Sequence, residues 1–269
     1  MPAVILMRGG GDLASGVALR LLRVGLRVVI SELAQPLAVR RLVSFSEAVY
    51  TGEITVEDVT ARLADDFEMA QGILEKGQIA VLVDPSAQAL SFFTPPIIID
   101  ARMTKRAPDL GKDAAALTIG LGPGFIAGEN CHAAIETNRG HRLGRVIWDG
   151  TPQPDTGVPD GVANKRLERV LRAPADGELK TFVAICDHVE AGALVAKVGS
   201  EPVKAPFPGV LRGLLRADLQ VWRGLKIGDL DPRDDPSYCT LVSDKSLAIA
   251  GGVLEAILSR PDFRLSIWD

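Results

Sequence analysis

The sequence has few cysteines and few histidines, three of each in 269 residues. The cysteines Cys131, Cys186 and Cys239 lie far apart and form no C-x-x-C pair, which disfavours a zinc or iron–sulfur cluster and is typical of a reducing cytoplasm. His132 and His141 are separated by a spacing that does not place them on one helix face, and no other ligand cluster accompanies them. We therefore predict no metal site.

A long apolar segment is also lacking. The apolar run near the start of the sequence ends before Arg8, and no later stretch reaches the roughly 18 apolar residues that a membrane span needs. The net charge of −4 disfavours a nucleic-acid or anionic-membrane surface as the main role. We expect a cytoplasmic protein with no nucleic-acid partner and no membrane partner.

The chain opens with a pattern of strand, glycine turn, helix and second strand. The turn reads G-x-G-x-x-A, and an acid follows the second strand about 20 residues on, where dinucleotide-binding domains place a ribose ligand. Asp12 would repel a pyrophosphate, but it could also cap the helix or bind a metal or a ligand hydroxyl. A purely structural glycine turn is the alternative. The residues predicted to bind a cofactor here are Gly9, Gly11, Asp12, Ala14 and Glu32.

The stretch from Thr118 to Gly144 combines glycines with acid, amide, imidazole and guanidinium groups. It predicts a loop at a strand end whose side chains bind an anion or move a proton. We predict cofactor binding by Gly122, Gly124, Asn138 and Arg139. Glu136 and His141 are the predicted catalytic residues, because either could handle a proton. The alternative is a tight corner between two domains.

Two further predicted strands each end at an acid, Asp84 and Asp100. The carboxyl edge of a parallel sheet is where open α/β sheets bind ligands, although both acids could equally be caps of helices or turns. The segment from Glu57 to Lys76, which lies before these two strands, is predicted to be partly helical.

A connection rich in proline and glycine at 151–159 predicts a domain boundary. We predict a Rossmann-like nucleotide-binding domain at 1–150 and a β-rich domain at 151–269. In the second part, Arg172 to Gly177 recurs as Lys204 to Gly209, an offset of 32 residues. Two such copies predict a small sandwich or barrel, with a last helix after Ser243. The fold class is therefore α/β, with a barrel-sandwich similar to biotinyl and lipoyl domains following the Rossmann-like domain.

Many strings along the chain resemble one family, among them GGGDLASGVALRLL, RRLVSFSEAVYTGE, IGLGPGFIAGEN, AIETNRGHRLGRVI and SDKSLAIAGGVLEAIL. The chain is similar over nearly its whole length to the YqeB-type accessory proteins for selenium-dependent molybdenum hydroxylases. Its first part resembles the nucleotide-binding half of xanthine dehydrogenase accessory proteins. The family pattern differs at Asn130 and Cys131, so this thiol is a poor candidate for a sulfur or selenium carrier.

The resemblance implies a maturation protein for a molybdenum hydroxylase rather than a subunit of it. The implied partners are the hydroxylase or its cofactor-delivery or selenium-delivery machinery, and the implied ligand is a nucleotide or molybdopterin dinucleotide. Two alternatives stay open, an NAD(P)-dependent oxidoreductase and a docking scaffold without a small-molecule ligand. Asp12 in the glycine turn argues against the oxidoreductase.

Overall fold

The computed structural model describes residues 4–155, 168–261 and 263. It divides into two compact units. The first comprises Met1–Pro36, Ser44–Asp155 and Val242–Asp269, and the second comprises Leu37–Val43 and Thr156–Leu241. The predicted connection at 151–159 lies partly outside the described residues.

The first unit alternates strands and helices over most of its length. Its elements are β1 (Val4–Arg8), α1 (Asp12–Arg23), β2 (Arg27–Glu32), α2 (Ala48–Thr51), β3 (Glu53–Val56), β4 (Val59–Ala64), α3 (Phe67–Glu75), β5 (Ile79–Val83), α4 (Ala89–Phe93), β6 (Ile97–Asp100), β7 (Leu117–Leu121), β8 (Ala133–Ile135), β9 (Val146–Ile147) and, after the second unit, α5 (Asp244–Leu258).

The nine strands form one sheet in the order β3-β4-β5-β2-β1-β6-β7-β8-β9. The seven strands from β4 to β8 in this order pair in parallel, while β3 and β9 are antiparallel to their neighbours. The central strands are nearly continuous apolar runs because parallel strands are covered on both faces. The core of this unit therefore lies along the sheet.

The chain changes direction across the sheet at β1. It passes from β1 to β2 on one side, and later from β6 to β7 and β8 on the other. The parallel register pairs Arg8 with Asp100 at the carboxyl ends of β1 and β6. Such a switch point leaves a crevice outside the strand ends, which is where open α/β sheets bind ligands.

The segment from Glu57 to Lys76 differs from its partly helical prediction. Its first part is β4, which pairs with β3 as an antiparallel hairpin, and the helix α3 begins only at Phe67. Burial along β4 approaches the alternation of a strand that covers one face of a core. Asp66 caps α3 by accepting a hydrogen bond from the backbone N–H of Met69 at 2.7 Å.

The helix α5 packs against α1 within the first unit. A Cβ atom added to Gly16 of α1 would lie 2.5 Å from the Cβ of Ser246, so glycine permits the close approach of the two helices. Ser243 caps α5 by accepting a hydrogen bond from the N–H of Ser246 at 3.1 Å.

The second unit consists of two antiparallel sheets of four strands, in the orders β10-β17-β15-β12 and β14-β13-β11-β16. The strands are β10 (Val170–Arg172), β11 (Gly177–Thr181), β12 (His188–Val189), β13 (Leu194–Val198), β14 (Glu201–Lys204), β15 (Gly209–Leu214), β16 (Gln220–Val221) and β17 (Lys226–Asp231). The strands β11, β12 and β13 begin 32 residues before β15, β16 and β17 respectively. The repeat in the sequence therefore generates two sheets with corresponding strand orders.

The predicted fold class, a Rossmann-like domain followed by a biotinyl/lipoyl-like domain with a final helix, is wrong. The first unit contains a nine-stranded mixed sheet with antiparallel edges, and the second contains two separate antiparallel sheets. The final helix does not belong to the β-rich part, because its apolar face is buried against α1. Local sequence patterns predicted the individual strands and helices, but they did not predict which other elements each one packs against.

Within the described ranges, no helix is long and apolar enough to cross a membrane.

Candidate anion-binding site

The glycine turn after β1 is shaped by its own protein neighbours at two of its three positions. Gly9 has a φ of +91°, and a Cβ atom there would lie 3.2 Å from the Cα of Arg102. A Cβ atom on Gly10 would lie 2.9 Å from the backbone nitrogen of Ser46. Gly11 is different, because a Cβ atom on it would meet no atom within 4 Å. Open space therefore adjoins the turn only at Gly11, directly before α1.

The carboxylate of Glu32 accepts hydrogen bonds from two backbone N–H groups. One carboxylate oxygen accepts the N–H of Gly10 at 2.7 Å, and the other accepts the N–H of Leu33 at 2.7 Å. The acid thus lies at the predicted strand end but holds the glycine turn in place. Each oxygen retains a lone pair, so a ligand hydroxyl could still donate to it.

Asp12 and Ala14, also predicted to bind a cofactor, lie in the first turn of α1. A carboxylate oxygen of Asp12 accepts a hydrogen bond from the hydroxyl of Ser246 at 3.1 Å, whereas Ala14 is buried. Asp12 therefore ties α1 to α5.

Arg8 ends β1 and is almost completely buried. Its guanidinium forms an ion pair with Asp109 and donates to the carbonyl oxygen of Pro85 at 3.1 Å. Its Nε–H has no hydrogen-bond partner among the described residues. A buried guanidinium is costly unless its donors are satisfied, so Arg8 retains unused capacity to bind an anion or a water molecule.

Arg102 lies just after β6, opposite Gly9 across the switch point. It binds both carboxylate oxygens of Asp100, at 3.0 and 2.5 Å, and also the carboxylate of Asp109 at 2.7 Å. Burial lowers the pKa of Arg102, but these two carboxylates outweigh that effect and raise the pKa above its ordinary value. This arginine is a permanent cation in a fixed orientation.

Asp109 bridges the two arginines from a loop, with 59% of its side chain exposed. Arg102 first, and then Arg8, lower the pKa of this carboxyl well below its usual range. The four residues Arg8, Asp100, Arg102 and Asp109 are called the switch-point cluster below. In it, an exposed carboxylate occupies the position between two cations where an external anion could bind.

A small cavity of about 10 Å³ adjoins Arg8 and is also lined by Thr118, Asn130 and Cys131. This volume is comparable to the space that one water molecule requires. Burial raises the pKa of the Cys131 thiol to about 11, which disfavours the nucleophilic thiolate at neutral pH.

The glycines of the second predicted loop are required by the protein itself. Gly122 has a φ of +75°, and a Cβ atom there would lie 2.6 Å from the hydroxyl of Thr137. Gly124 has a φ of +105°, and a Cβ atom there would lie 2.5 Å from the carbonyl oxygen of Arg106. These contacts explain both glycines without a ligand.

Glu136 is buried, and each of its carboxylate oxygens accepts a backbone N–H, from Asn138 at 2.7 Å and from Gln153 at 2.7 Å. The side chain of Asn138 donates to that of Gln153 at 3.1 Å. This geometry gives Glu136 a structural role in joining two loops. His141, by contrast, is exposed, and no hydrogen bond links it to Glu136 in the described part of the chain.

Arg139 forms a bidentate ion pair with Asp244, at 2.7 and 2.8 Å, at the start of α5. Because Ser246 of the same helix contacts Asp12, the two predicted glycine-rich regions meet around the start of α5. Arg139 is thus near the glycine turn but paired with a carboxylate.

Asp84 is a cap, one of the two roles that the sequence allowed. Its carboxylate oxygens accept the N–H groups of Gln88 at 2.8 Å and Ala89 at 2.9 Å at the start of α4. Asp100 instead orients Arg102.

Sequence reasoning missed Arg8, Arg102 and Asp109 as binding candidates. The available signal was Arg8, a charged residue directly after a buried apolar strand. Its partner Asp109 lies 101 residues away, a separation that no local pattern reveals.

A second cluster of arginines and aspartates lies within the second unit. Asp229 forms ion pairs with Arg169 and with Arg212, and Asp231 forms ion pairs with Arg212 and with Arg233. Only 1% of the Asp229 side chain is exposed. Burial raises the pKa of Asp229, but the positive charges of Lys226, Arg212 and Arg169 outweigh that effect and lower the pKa below its ordinary value. We call Arg169, Arg212, Asp229 and Asp231 the buried cluster.

Metal binding has no support in the described residues, where no group of three or more His, Cys, Asp or Glu side chains could hold an ion.

No protein-family model matches the chain. A relative from Escherichia coli strain K12, described as uncharacterized protein YqeB, is 47% identical over 255 residues. The match covers 95% of this chain but 47% of the relative, so the chain spans about half the length of the curated relative that it matches. The relative's description states no activity.

Comparison with solved structures returns weak similarities. An aspartoacylase family protein from Mesorhizobium loti aligns with a TM-score of 0.26 and 10% identity, covering 85% of this chain and 84% of that one. A succinylglutamate desuccinylase from Silicibacter aligns with a TM-score of 0.25 and 13% identity, covering 85% and 84% of the two chains. Similarities at this level assign neither a fold nor an activity.

Proposed function

We propose that this chain is an accessory protein for a selenium-dependent molybdenum hydroxylase, and that it binds the phosphate groups of a nucleotide or molybdopterin dinucleotide at Arg8 and Arg102. One observation carries the ligand-binding part of the proposal. Two fixed guanidinium groups meet at the switch point of the parallel sheet, and an exposed loop carboxylate bridges them. The role in maturation rests on the resemblance of the sequence strings.

The chemistry of the cluster suits phosphate. A guanidinium presents paired N–H donors that match phosphate oxygens, and it stays charged at any physiological pH. Arg8 lies at the end of β1, which pairs with β6, and Arg102 lies just after β6. Asp100 and Asp109 fix the orientation of the Arg102 side chain. The open side of Gly11 adjoins the start of α1, where a negatively charged group is favoured.

Asp109 has two roles in this proposal. Without a ligand it balances the charge of the two arginines together with Asp100, since the arginines would otherwise repel one another. With a ligand it moves into solvent, because its side chain is already more than half exposed. A phosphate that replaces it brings more charge and more acceptor oxygens to the same donors.

The binding test is calorimetric titration with pyrophosphate and with cytidine diphosphate. We expect Arg102→Gln to bind about ten- to a hundredfold more weakly, because a hydrogen bond to a charged group contributes about 1.5–3 kcal/mol. Asp109→Asn should bind about tenfold more tightly, because the competing charge is gone. Arg62→Gln is the matched control, since Arg62 is a half-exposed arginine paired with Glu53 in the same unit.

Two results would contradict the ligand proposal. One is that neither compound binds the natural protein or Asp109→Asn. The other is that Arg62→Gln weakens binding as much as Arg102→Gln, which would indicate a general charge effect.

The maturation role requires a separate experiment, native mass spectrometry of the protein isolated from cells that produce a molybdenum hydroxylase. A released pterin or cytidine dinucleotide would support this role. A released nicotinamide cofactor would instead support the oxidoreductase alternative, and a ligand-free protein that captures the hydroxylase would support the docking scaffold.

A further inference from the structure

Two cysteines of the second unit that are far apart in the sequence meet in space. Cys186 lies in the turn between β11 and β12, and Cys239 ends the short 3-10 helix Pro236–Cys239. Burial and the Cys186 thiol raise the pKa of Cys239, and both cysteines contact the carbonyl oxygen of Leu211 in β15. The backbone N–H of Cys186 donates to that oxygen at 2.9 Å, and the Cys239 thiol lies 3.8 Å from it. One strand position therefore brings the two cysteine residues close together.

The backbone at Cys186 is in an unfavourable conformation. Its φ is +82°, a region that residues other than glycine adopt rarely and at a cost. A glycine would fit this turn with less strain, so the turn alone does not explain a cysteine. The strained position places the Cys186 backbone against the same carbonyl oxygen that the Cys239 thiol contacts.

The segment that carries Cys239 is fixed as well. Arg40, a buried residue of the same unit, donates to the carbonyl oxygens of Tyr238 and Leu241, each at 2.9 Å. These bonds flank the cysteine on both sides and limit its movement.

The two thiols differ in access to solvent. Cys186 is partly exposed, whereas Cys239 is buried. Burial first, and the neighbouring Cys186 thiol second, raise the pKa of Cys239 to about 12, against the opposing effect of Arg40 and Arg212. Cys186 is therefore the thiol that an external reagent can reach, and Cys239 is the internal partner.

We propose that Cys186 and Cys239 form a redox-active dithiol that becomes an intramolecular disulfide by exchange with a low-molecular-weight disulfide such as glutathione disulfide. The Cys186 thiolate attacks one sulfur of that disulfide, forms a mixed disulfide and releases one thiolate. The Cys239 sulfur, losing its proton to solvent, then attacks the Cys186 sulfur and releases the second thiolate. The protein dithiol loses two electrons and two protons, and the external disulfide is reduced to two thiols.

The test uses the 269-residue chain, incubated under native conditions with glutathione disulfide, then quenched with acid, alkylated and mapped by mass spectrometry without reduction. The protein should lose two of its three alkylatable thiols, retain no glutathione, and yield a peptide that links Cys186 to Cys239. Dithiothreitol should restore all three thiols.

Variants separate the two steps. Cys239→Ser should stop at one glutathione on Cys186, because the internal thiol is missing. Cys186→Ser should remain unmodified. Cys131→Ser is the matched control, since it removes a buried thiol of the other unit and should leave the disulfide unaffected.

Three results in the natural protein would overturn the proposal. They are no modification at all, a stable glutathione adduct on Cys186 without a linked peptide, and a disulfide that includes Cys131. Because these results come from the natural protein, a variant that fails to fold does not affect the decision.

Discussion

The switch-point cluster and the buried cluster are built from the same two residue types, arginine and aspartate, but they differ in exposure to solvent. In each, an aspartate joins two arginines, but 59% of the Asp109 side chain is exposed against 1% for Asp229. An exposed carboxylate can exchange with an external anion, because water solvates it when it leaves. A buried one has no such alternative, and its removal leaves uncompensated charges. The switch-point cluster can therefore exchange its carboxylate for a ligand, whereas the buried cluster holds strands together.

The largest effect is expected at the buried cluster. Asp229→Asn removes the charged partner that Arg169 and Arg212 share, while Arg212 keeps its ion pair with Asp231. Breaking a buried pair in this way costs about 3–5 kcal/mol in the free energy of unfolding. Urea denaturation measures the loss. Glu190→Gln, which alters an exposed carboxylate of the same unit, should change stability by less than about 0.5 kcal/mol. Equal losses of stability in the two variants would mean that the ion pairs of Asp229 do not stabilise the fold.

The second effect distinguishes the two clusters through a ligand. Pyrophosphate at a hundred times its dissociation constant adds about 2.7 kcal/mol to the stability of a protein that binds it. At one fixed concentration, we expect Asp109→Asn to gain more stability than the natural protein. Arg102→Gln, which binds about ten- to a hundredfold more weakly, should gain only about 0.4–1.4 kcal/mol. Thermal unfolding with and without pyrophosphate measures both gains. A larger gain in Asp229→Asn than in Asp109→Asn would reverse the assignment of the two clusters.

The third effect concerns acid. The folded pKa of Asp109 lies below its unfolded value of about 3.9, so its stabilising contribution is present above that pH and is lost as the pH falls. The stability difference between the natural protein and Asp109→Asn should therefore shrink between about pH 5 and pH 2. High salt should also reduce it, because the carboxylate is exposed. Urea midpoints at several pH values test this, and a difference that grows on acidification would contradict it.

The smallest effect contrasts two histidines, one in each unit. Burial lowers the pKa of His132, whose Nδ1 lies 3.1 Å from the backbone N–H of Thr118, while a hydrogen bond with Asp234 raises the pKa of the exposed His188. On acidification through about pH 6.5, His132 should disfavour folding, whereas the His188 contact is present at low pH and is lost as the pH rises. Histidine NMR titrations should show the two shifts. Asp234→Asn should reduce the shift of His188, where Glu190 still contributes, and leave that of His132 unchanged.

The extent to which the sequence predicts this structure follows from the range of each interaction. The turn after β1, the buried strands and the 32-residue repeat depend on neighbouring residues and are visible as patterns. The position of Glu32 was predictable, but its bond to Gly10 was not, because a carboxylate at that place can serve a ligand or the turn. The Arg8–Asp109 ion pair depends on folded geometry alone.

The return of α5 to the first unit affects how the protein is made. During synthesis, the face of α1 that contains Gly16 leaves the ribosome long before Ser246, because the whole second unit is translated between them. The first unit therefore cannot bury this face until the β-rich region has been synthesised. Since chains fold progressively as they emerge, the β-rich unit can form first, and the unit that begins the chain is completed last.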